Sequence, residues 1–188
     1  MRAVAEVGPI WIRGGAVAAL REEIRRREAG CDPALRRRGA ELREDPLHLD
    51  HWLTMDRWDR PAALLARMDP DTDALLDCGR RLARTLLERP LFRAEVGVRS
   101  DSPWWMRGGH LLVALPSSLF SHSSWVLVPE PDRFTIEVSA AADIPESARR
   151  ALEGVLEVVA ATVVGGPVRL RGERPAVDRM IFRGRPVA

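Results

Sequence analysis

The chain has 188 residues, 46% of them hydrophobic and 30% charged, a balance that excludes general disorder. Basic and acidic side chains number 29 and 27, a formal charge of +2, so no strong polyelectrolyte character points to nucleic acid. No apolar run approaches the roughly 18 residues that a membrane span needs, and about two-thirds of the unfolded surface can be buried at this length without a staple.

Ile10-Trp11-Ile12 is a short apolar entry, followed by Gly14-Gly15. Val17, Leu20 and Ile24 then recur at helical spacing among Arg and Glu, and Gly30 supplies a stop. Asp32-Pro33 reads as N-cap and first helical position of a second helix, with Leu35 and Leu42 on its inner face. Residues 43–58 are polar and read as irregular or short-helical, with Trp52 and Trp58 as anchors. Asp59-Arg60-Pro61 is expected to open a helix that turns Leu64, Leu65 and Met68 inward.

Leu75, Leu76, Gly79, Leu82, Ala83, Leu86 and Leu87 give the clearest helical stripe, stopped by Pro90. Leu91 to Val98 fits a helix or a strand equally. Ser102-Pro103 is expected to start a helix over Trp104–Leu115, which Pro116 ends or kinks.

The period then changes. Trp125–Val128 and Phe134–Val138 are β-rich runs joined by a turn at Pro129–Asp132. Asp143-Ile-Pro-Glu146 has the form of a capping box, opening a helix that buries Leu152, Val155, Leu156, Val159 and Val163 and ends at Gly165-Gly166. Val168 and Leu170 alternate with Arg169 and Arg171, a half-buried strand. Gly172–Asp178 reads as a turn before a last strand at Met180–Phe182.

Helices followed by strands indicate α+β. The expectation is one domain over residues 1–188: an N-terminal helical bundle (about 10–122) followed by a β-β-α-β-β antiparallel-sheet unit (about 123–188).

Four segments carry a family resemblance: Ile12-Arg13-Gly14-Gly15 leading into a helix, Trp52 to Met68, the Leu75–Leu87 helix, and the closing unit from Phe134 to Phe182. In order and length they resemble the heme-nitric-oxide-binding and 4-vinyl-reductase-like (V4R-like) ligand-binding superfamily, and more closely a paralogous family expanded in myxobacteria. The resemblance spans roughly residues 10–185. It implies a sensory or ligand-binding domain, commonly dimeric, rather than an enzyme. The heme-binding branch uses a proximal histidine on a helix and a Tyr-x-Ser-x-Arg clamp. This chain has no tyrosine, and it also lacks the cysteine-rich zinc sites of some V4R-like domains. The cofactor therefore stays unknown, with heme allowed by the resemblance but not favoured.

The residue chemistry is narrow. Every basic residue is Arg, and Lys, Tyr, Asn and Gln are absent. Neither Schiff-base lysine chemistry nor a tyrosine acid is available. The Arg25–Arg27 and Arg36–Arg38 runs are interleaved with Glu22, Glu23, Glu28 and Glu41, a solvated helix face rather than a nucleic-acid surface. Cys31 and Cys78 are too few for a secreted framework, and the N-terminus shows no signal-like apolar stretch, so a cytoplasmic location with reduced thiols is expected.

His48-Leu-Asp-His51 is the best metal-like pair, but it matches no zinc spacing. His122 among serines lacks a nucleophile elbow. Six tryptophans remain. Trp104 and Trp105 are adjacent, so on a helix they point about 100° apart and one must leave the core. The sequence thus points to a non-enzymatic domain that binds a small apolar or aromatic ligand. Trp104 and Trp105 would stack on it, His110 would give a polar contact, and Met106 and Trp52 would close the pocket. Occupancy would be reported to a protein partner or a second copy of the chain. The alternative is a protein-interaction or scaffold module with exposed Trp and Arg as its hot spot.

Overall fold

The computed structural model of the chain describes residues 10–70, 73–90, 92 and 103–187. The expectation for Leu91 to Val98 lies outside the described residues apart from Phe92.

Strand β1 (Trp11–Arg13) leads directly into helix α1 (Gly14–Arg27), which closes in a single 3-10 turn at Glu28–Gly30. Helix α2 (Pro33–Glu44) begins as its sequence dictates: the Asp32 carboxylate accepts from the backbone N–H groups of Ala34 (2.8 Å) and Leu35 (3.0 Å), and proline takes the position that has no use for an N–H. Strand β2 (Trp52–Thr54) pairs antiparallel with β1, where an irregular or short-helical segment was expected. On its other side β1 bonds to the Leu119–Ser121 segment through Arg13 N to Leu119 O (3.0 Å) and Ser121 N to Trp11 O (2.9 Å).

Helix α3 (Asp56–Met68) starts three residues earlier than expected, which leaves Pro61 inside its second turn. Trp58 is buried there and donates through Nε1 to Ser147 Oγ (3.1 Å). Helix α4 (Ala74–Leu87) follows the sequence stripe, with Cys78, Gly79, Leu82, Ala83 and Leu86 inward, although it ends before Pro90. The expected Trp104–Leu115 helix is broken into α5 (Trp104–Gly108) and α6 (Leu111–Ser117), separated by Gly109 and His110. The Gly108-Gly109 pair has weak helix propensity, and the hydrogen-bond ladder is interrupted there although Gly109 and His110 keep right-handed helical dihedrals.

The sheet has the order β3-β4-β6-β5, formed by β3 (Ser124–Pro129), β4 (Phe134–Ser139), β5 (Val168–Ala176) and β6 (Arg179–Pro186), with every neighbouring pair antiparallel. Its inner face carries Trp125, Phe134, Ile136, Val138, Met180 and Phe182; Trp125 and Phe182 lie stacked, 6.4 Å apart. Helix α7 (Glu146–Val164) covers that face and buries Leu152, Val155, Leu156 and Val159. Its end is a left-handed glycine, Gly165 at φ 81°, whose N–H reaches Ala161 O.

Two further local expectations need correction. The Asp143–Glu146 capping box does not form: α7 starts at Glu146 after Pro145, with no side chain capping it. Residues 172–176 are strand, not turn. Gly172 lies so close to the Phe182 ring and the Glu153 carboxylate that no side chain fits, and Pro175 is tolerated because β5 is an edge strand that needs no donor there.

Two buried carboxylates join these layers. Glu153 of α7 is 2% exposed; it pairs with Arg149 and Arg150 and accepts from Gly172 N (2.7 Å), pinning α7 to β5. Glu23 of α1 is 1% exposed and pairs with Arg27 and, across to α4, with Arg81 (2.8 Å). Among the described residues no helix is long and apolar enough to cross a membrane.

Candidate functional site

Helix α1 buries Val17, Leu20 and Ile24 on one side. Its adjoining face carries Gly15, Ala18 and Ala19, side chains too small to fill the space toward α4. A cleft of 470 Å3 results. Its floor is apolar, built from Ala18, Ala19, Leu82, Leu86, Leu119 and Phe92, and its rim carries Arg13, Arg26, Arg81 and Arg89 against Glu22, Glu23 and Asp50. That volume falls within the range of small-molecule pockets.

Three of the four arginines are committed. Arg26 bonds Glu22 (3.1 Å), which Arg25 also holds (2.7 and 2.8 Å). The hydrogen bonds from Arg25 and then Arg26 pull the Glu22 carboxyl down to about 2. Arg81 pairs with buried Glu23, and Arg13 donates to the Asp50 carbonyl while its guanidinium sits 4.1 Å from the Trp52 ring centroid. Arg89 is exposed and has no ion pair among the described residues.

The five residues favoured by the sequence are placed differently. Trp104 is 8% exposed, in edge-on contact with Trp105 (5.7 Å) and Phe134 (5.4 Å). Its Nε1 is buried with no hydrogen-bond acceptor among the described residues. Trp105 is half-buried, so the two adjacent tryptophans diverge in part: Trp104 enters the core and Trp105 packs against its edge. Met106 is 72% exposed, His110 is exposed in the turn between α5 and α6, and Trp52 stands on β2 beneath Arg13. None of the five lines the α1–α4 cleft.

The histidine and serine candidates are structural or solvent-facing. The His48 and His51 rings lie 4.6 Å apart on exposed residues, and no group of three potential ligands gathers to hold a metal among the described residues. Ser121 and Ser123, beside His122, accept hydrogen bonds from Trp11 N (2.7 Å) and Trp125 Nε1 (2.8 Å). Cys78 is buried in the core, where desolvation pushes its thiol up to about 12.

No protein-family model and no curated protein matches the chain. Solved structures do. An Fe(II) unliganded H-NOX protein variant from K. algicida superimposes with a TM-score of 0.61 at 10% identity, over 94% of this chain and 97% of that one. A variant of T. Tengcongensis H-NOX gives 0.60 at 14% identity, over 94% and 100%. A Cs H-NOX variant gives 0.62 at 12%, over 94% and 98%.

The fold is that of an H-NOX domain.

The likeness spans 94% of this chain. Another chain with the H-NOX fold comes from work on heme distortion, so the fit of a heme to this chain can be tested. Proteins hold heme iron through His, Cys, Met or Tyr. No such side chain lines the α1–α4 cleft among the described residues, and the sequence has no Tyr. The residues of the cleft do not fit a heme.

Sequence reasoning missed the cleft itself. The available signal was the run of Gly15, Ala18 and Ala19 beside a strong apolar stripe, which marks a helix face with nothing large on it.

Proposed function

We propose that this chain is a non-enzymatic sensory domain that binds a small apolar or aromatic ligand bearing an acidic group in the α1–α4 cleft, and that it reports occupancy to a protein partner or a second copy. The observation that carries this reading is the pairing of an apolar floor with Arg89, which has no ion pair among the described residues, on a 470 Å3 cleft. An apolar body would displace water from Leu82 and Leu86, and the acidic group would meet the Arg89 fork. The shared H-NOX fold supports a ligand-binding role in general terms.

The test uses 1-anilinonaphthalene-8-sulfonate, an aromatic anion, as probe. Saturable one-to-one binding is expected, weakened about ten-fold by Arg89→Ala, the loss of one charge-assisted contact. Ala18→Trp, which fills the cleft, should abolish it while far-ultraviolet circular dichroism stays native. No saturable binding, or binding untouched by either substitution, overturns the reading.

The orphaned Nε1 of Trp104 favours a second reading, a site around Trp104, Trp105, Met106 and His110 with Trp52 as an outlying wall. A buried donor without an acceptor costs about 1–3 kcal/mol, which a ligand oxygen would restore. Under this reading Trp104→Phe abolishes probe binding and Ala18→Trp does not. If neither substitution matters and nothing binds, the edge formed by half-buried Trp105 and exposed Met106 becomes the surface of an interaction module.

A further inference from the structure

The outer face of the sheet, opposite α7, carries a charge pattern that folding alone does not explain. The β5–β6 register sets Arg169 directly opposite Arg185 and Arg171 directly opposite Arg183. Residues two apart on a strand share a face, so these four arginines form a square on one side of the sheet. Like charges directly opposite are destabilising.

Farther along the same face the cations are matched. Arg179 pairs with Glu137 (2.6 Å), and Arg183 reaches Glu173. At the near end Arg169, Arg171 and Arg185 are exposed and form no ion pair among the described residues. Arg133 joins them from the β3–β4 turn, held by Glu130 (2.7 Å). Together with Thr135, these side chains line a concavity of 460 Å3.

We propose that this concavity is a binding site for a ligand carrying two or more linked phosphate groups. The size of the array favours a compact polyanion. Strands lie about 5 Å apart and alternate residues about 7 Å apart, so the four arginine positions span a patch the size of a di- or triphosphate. Each planar fork can engage phosphate oxygens through two parallel hydrogen bonds. The Glu137 and Glu173 boundary argues against a nucleic-acid track, which needs a continuous basic stripe. Such a ligand could be free in solution or be the headgroup of a phosphorylated lipid. The site shares no lining residue with the α1–α4 cleft.

The test is calorimetric titration of the full chain with inorganic tripolyphosphate and orthophosphate, repeated on Arg171→Ala/Arg185→Ala. Tripolyphosphate is expected to bind at least about ten-fold more tightly than orthophosphate, and the double substitution to weaken it at least about ten-fold, since charge-assisted hydrogen bonds are lost. Removing like-charged neighbours should leave the melting temperature of the ligand-free variant at or above that of the parent. Tripolyphosphate should raise the parent's melting temperature and not the variant's. Co-sedimentation with vesicles containing phosphatidylinositol bisphosphate, lost in the variant, assigns the ligand to a lipid headgroup; binding of tripolyphosphate without co-sedimentation assigns it to a soluble molecule. Absence of tripolyphosphate binding, equal affinity for orthophosphate, or an unaffected double variant overturns the proposal.

Discussion

Helices α4 and α7 touch through their backbones, and two glycines make that possible. A Cβ on Gly79 would fall well inside 3.0 Å of the Ala151 carbonyl, and one on Gly154 would fall inside 3.0 Å of the Leu76 carbonyl. The obstacle in each case is main chain, which cannot swing aside like a flexible side chain. Arg80 to Glu157 (2.8 Å) and Arg150 to Asp73 flank the same crossing and hold the helices in register. Two effects of a glycine-to-alanine change therefore oppose each other. Helix propensity favours alanine by about 1 kcal/mol. Overpacking costs about 1–3 kcal/mol where side chains can adjust and more where they cannot, and here the helices must separate by an ångström or more to restore ordinary contact. The net expectation for Gly79→Ala or Gly154→Ala is a loss of roughly 2–3 kcal/mol, or about 4–12 °C in melting temperature at this chain length. Because both residues belong to one contact, the double variant should lose less than the sum. Urea denaturation followed by circular dichroism measures all three. Gly30→Ala is the control, since nothing lies within 4 Å of its added methyl; it should be neutral or slightly stabilising. A Gly79→Ala or Gly154→Ala protein more stable than the parent would refute the close-contact argument.

Glu153→Ala removes the acceptor of Gly172 N, while Arg149 keeps Glu146 and Arg150 keeps Asp73, and should cost about 1–3 kcal/mol in urea denaturation; a loss below about 0.5 kcal/mol would show that the α7–β5 joint does not depend on it. Asp32→Ala removes the cap of α2 and should cost about 1 kcal/mol, read as a small fall in melting temperature. Cys78 gives an alkaline prediction: its thiol ionises near 9 in the unfolded chain and near 12 in the fold, so between these values only unfolding releases its proton. Stability should fall by about 1.4 kcal/mol per pH unit across that window, and Cys78→Ala should flatten the slope; the absence of Lys and Tyr makes the slope easy to assign.

Where local chemistry decides structure, the sequence was readable. The stripe of α4, the Asp32-Pro33 start of α2 and the glycine end of α7 each depend on a few neighbouring residues, and each is found as expected. Strand β2 escaped because it is three residues long: only Leu53 is partly buried between exposed Trp52 and Thr54, too short an alternation to read from sequence. The capping box failed because Pro145 starts the helix by itself and leaves Asp143 outside. For the site, adjacency alone required Trp104 and Trp105 to diverge, but which one enters the core depends on Phe134, thirty residues away in sequence. The alternation of Arg169 and Arg171 announced a strand. That it faces Arg185 and Arg183 is a property of register, which no single strand contains.

The two proposed sites sit at opposite ends of one chain of contacts. The cleft rests on α4; α4 meets α7 at the glycine crossing; and α7 is fastened through Glu153 to β5, which carries Arg169 and Arg171. A path of contacts is not coupling. Coupling is a free energy, and linkage makes it reciprocal: the factor by which tripolyphosphate changes affinity for the aromatic probe must equal the factor by which the probe changes affinity for tripolyphosphate. If the joint transmits, Gly154→Ala should alter that factor while leaving the side chains of both sites untouched. A factor of one in the parent protein would mean two independent sites on one scaffold, and the sensory output would then have to leave through the surface beside the cleft.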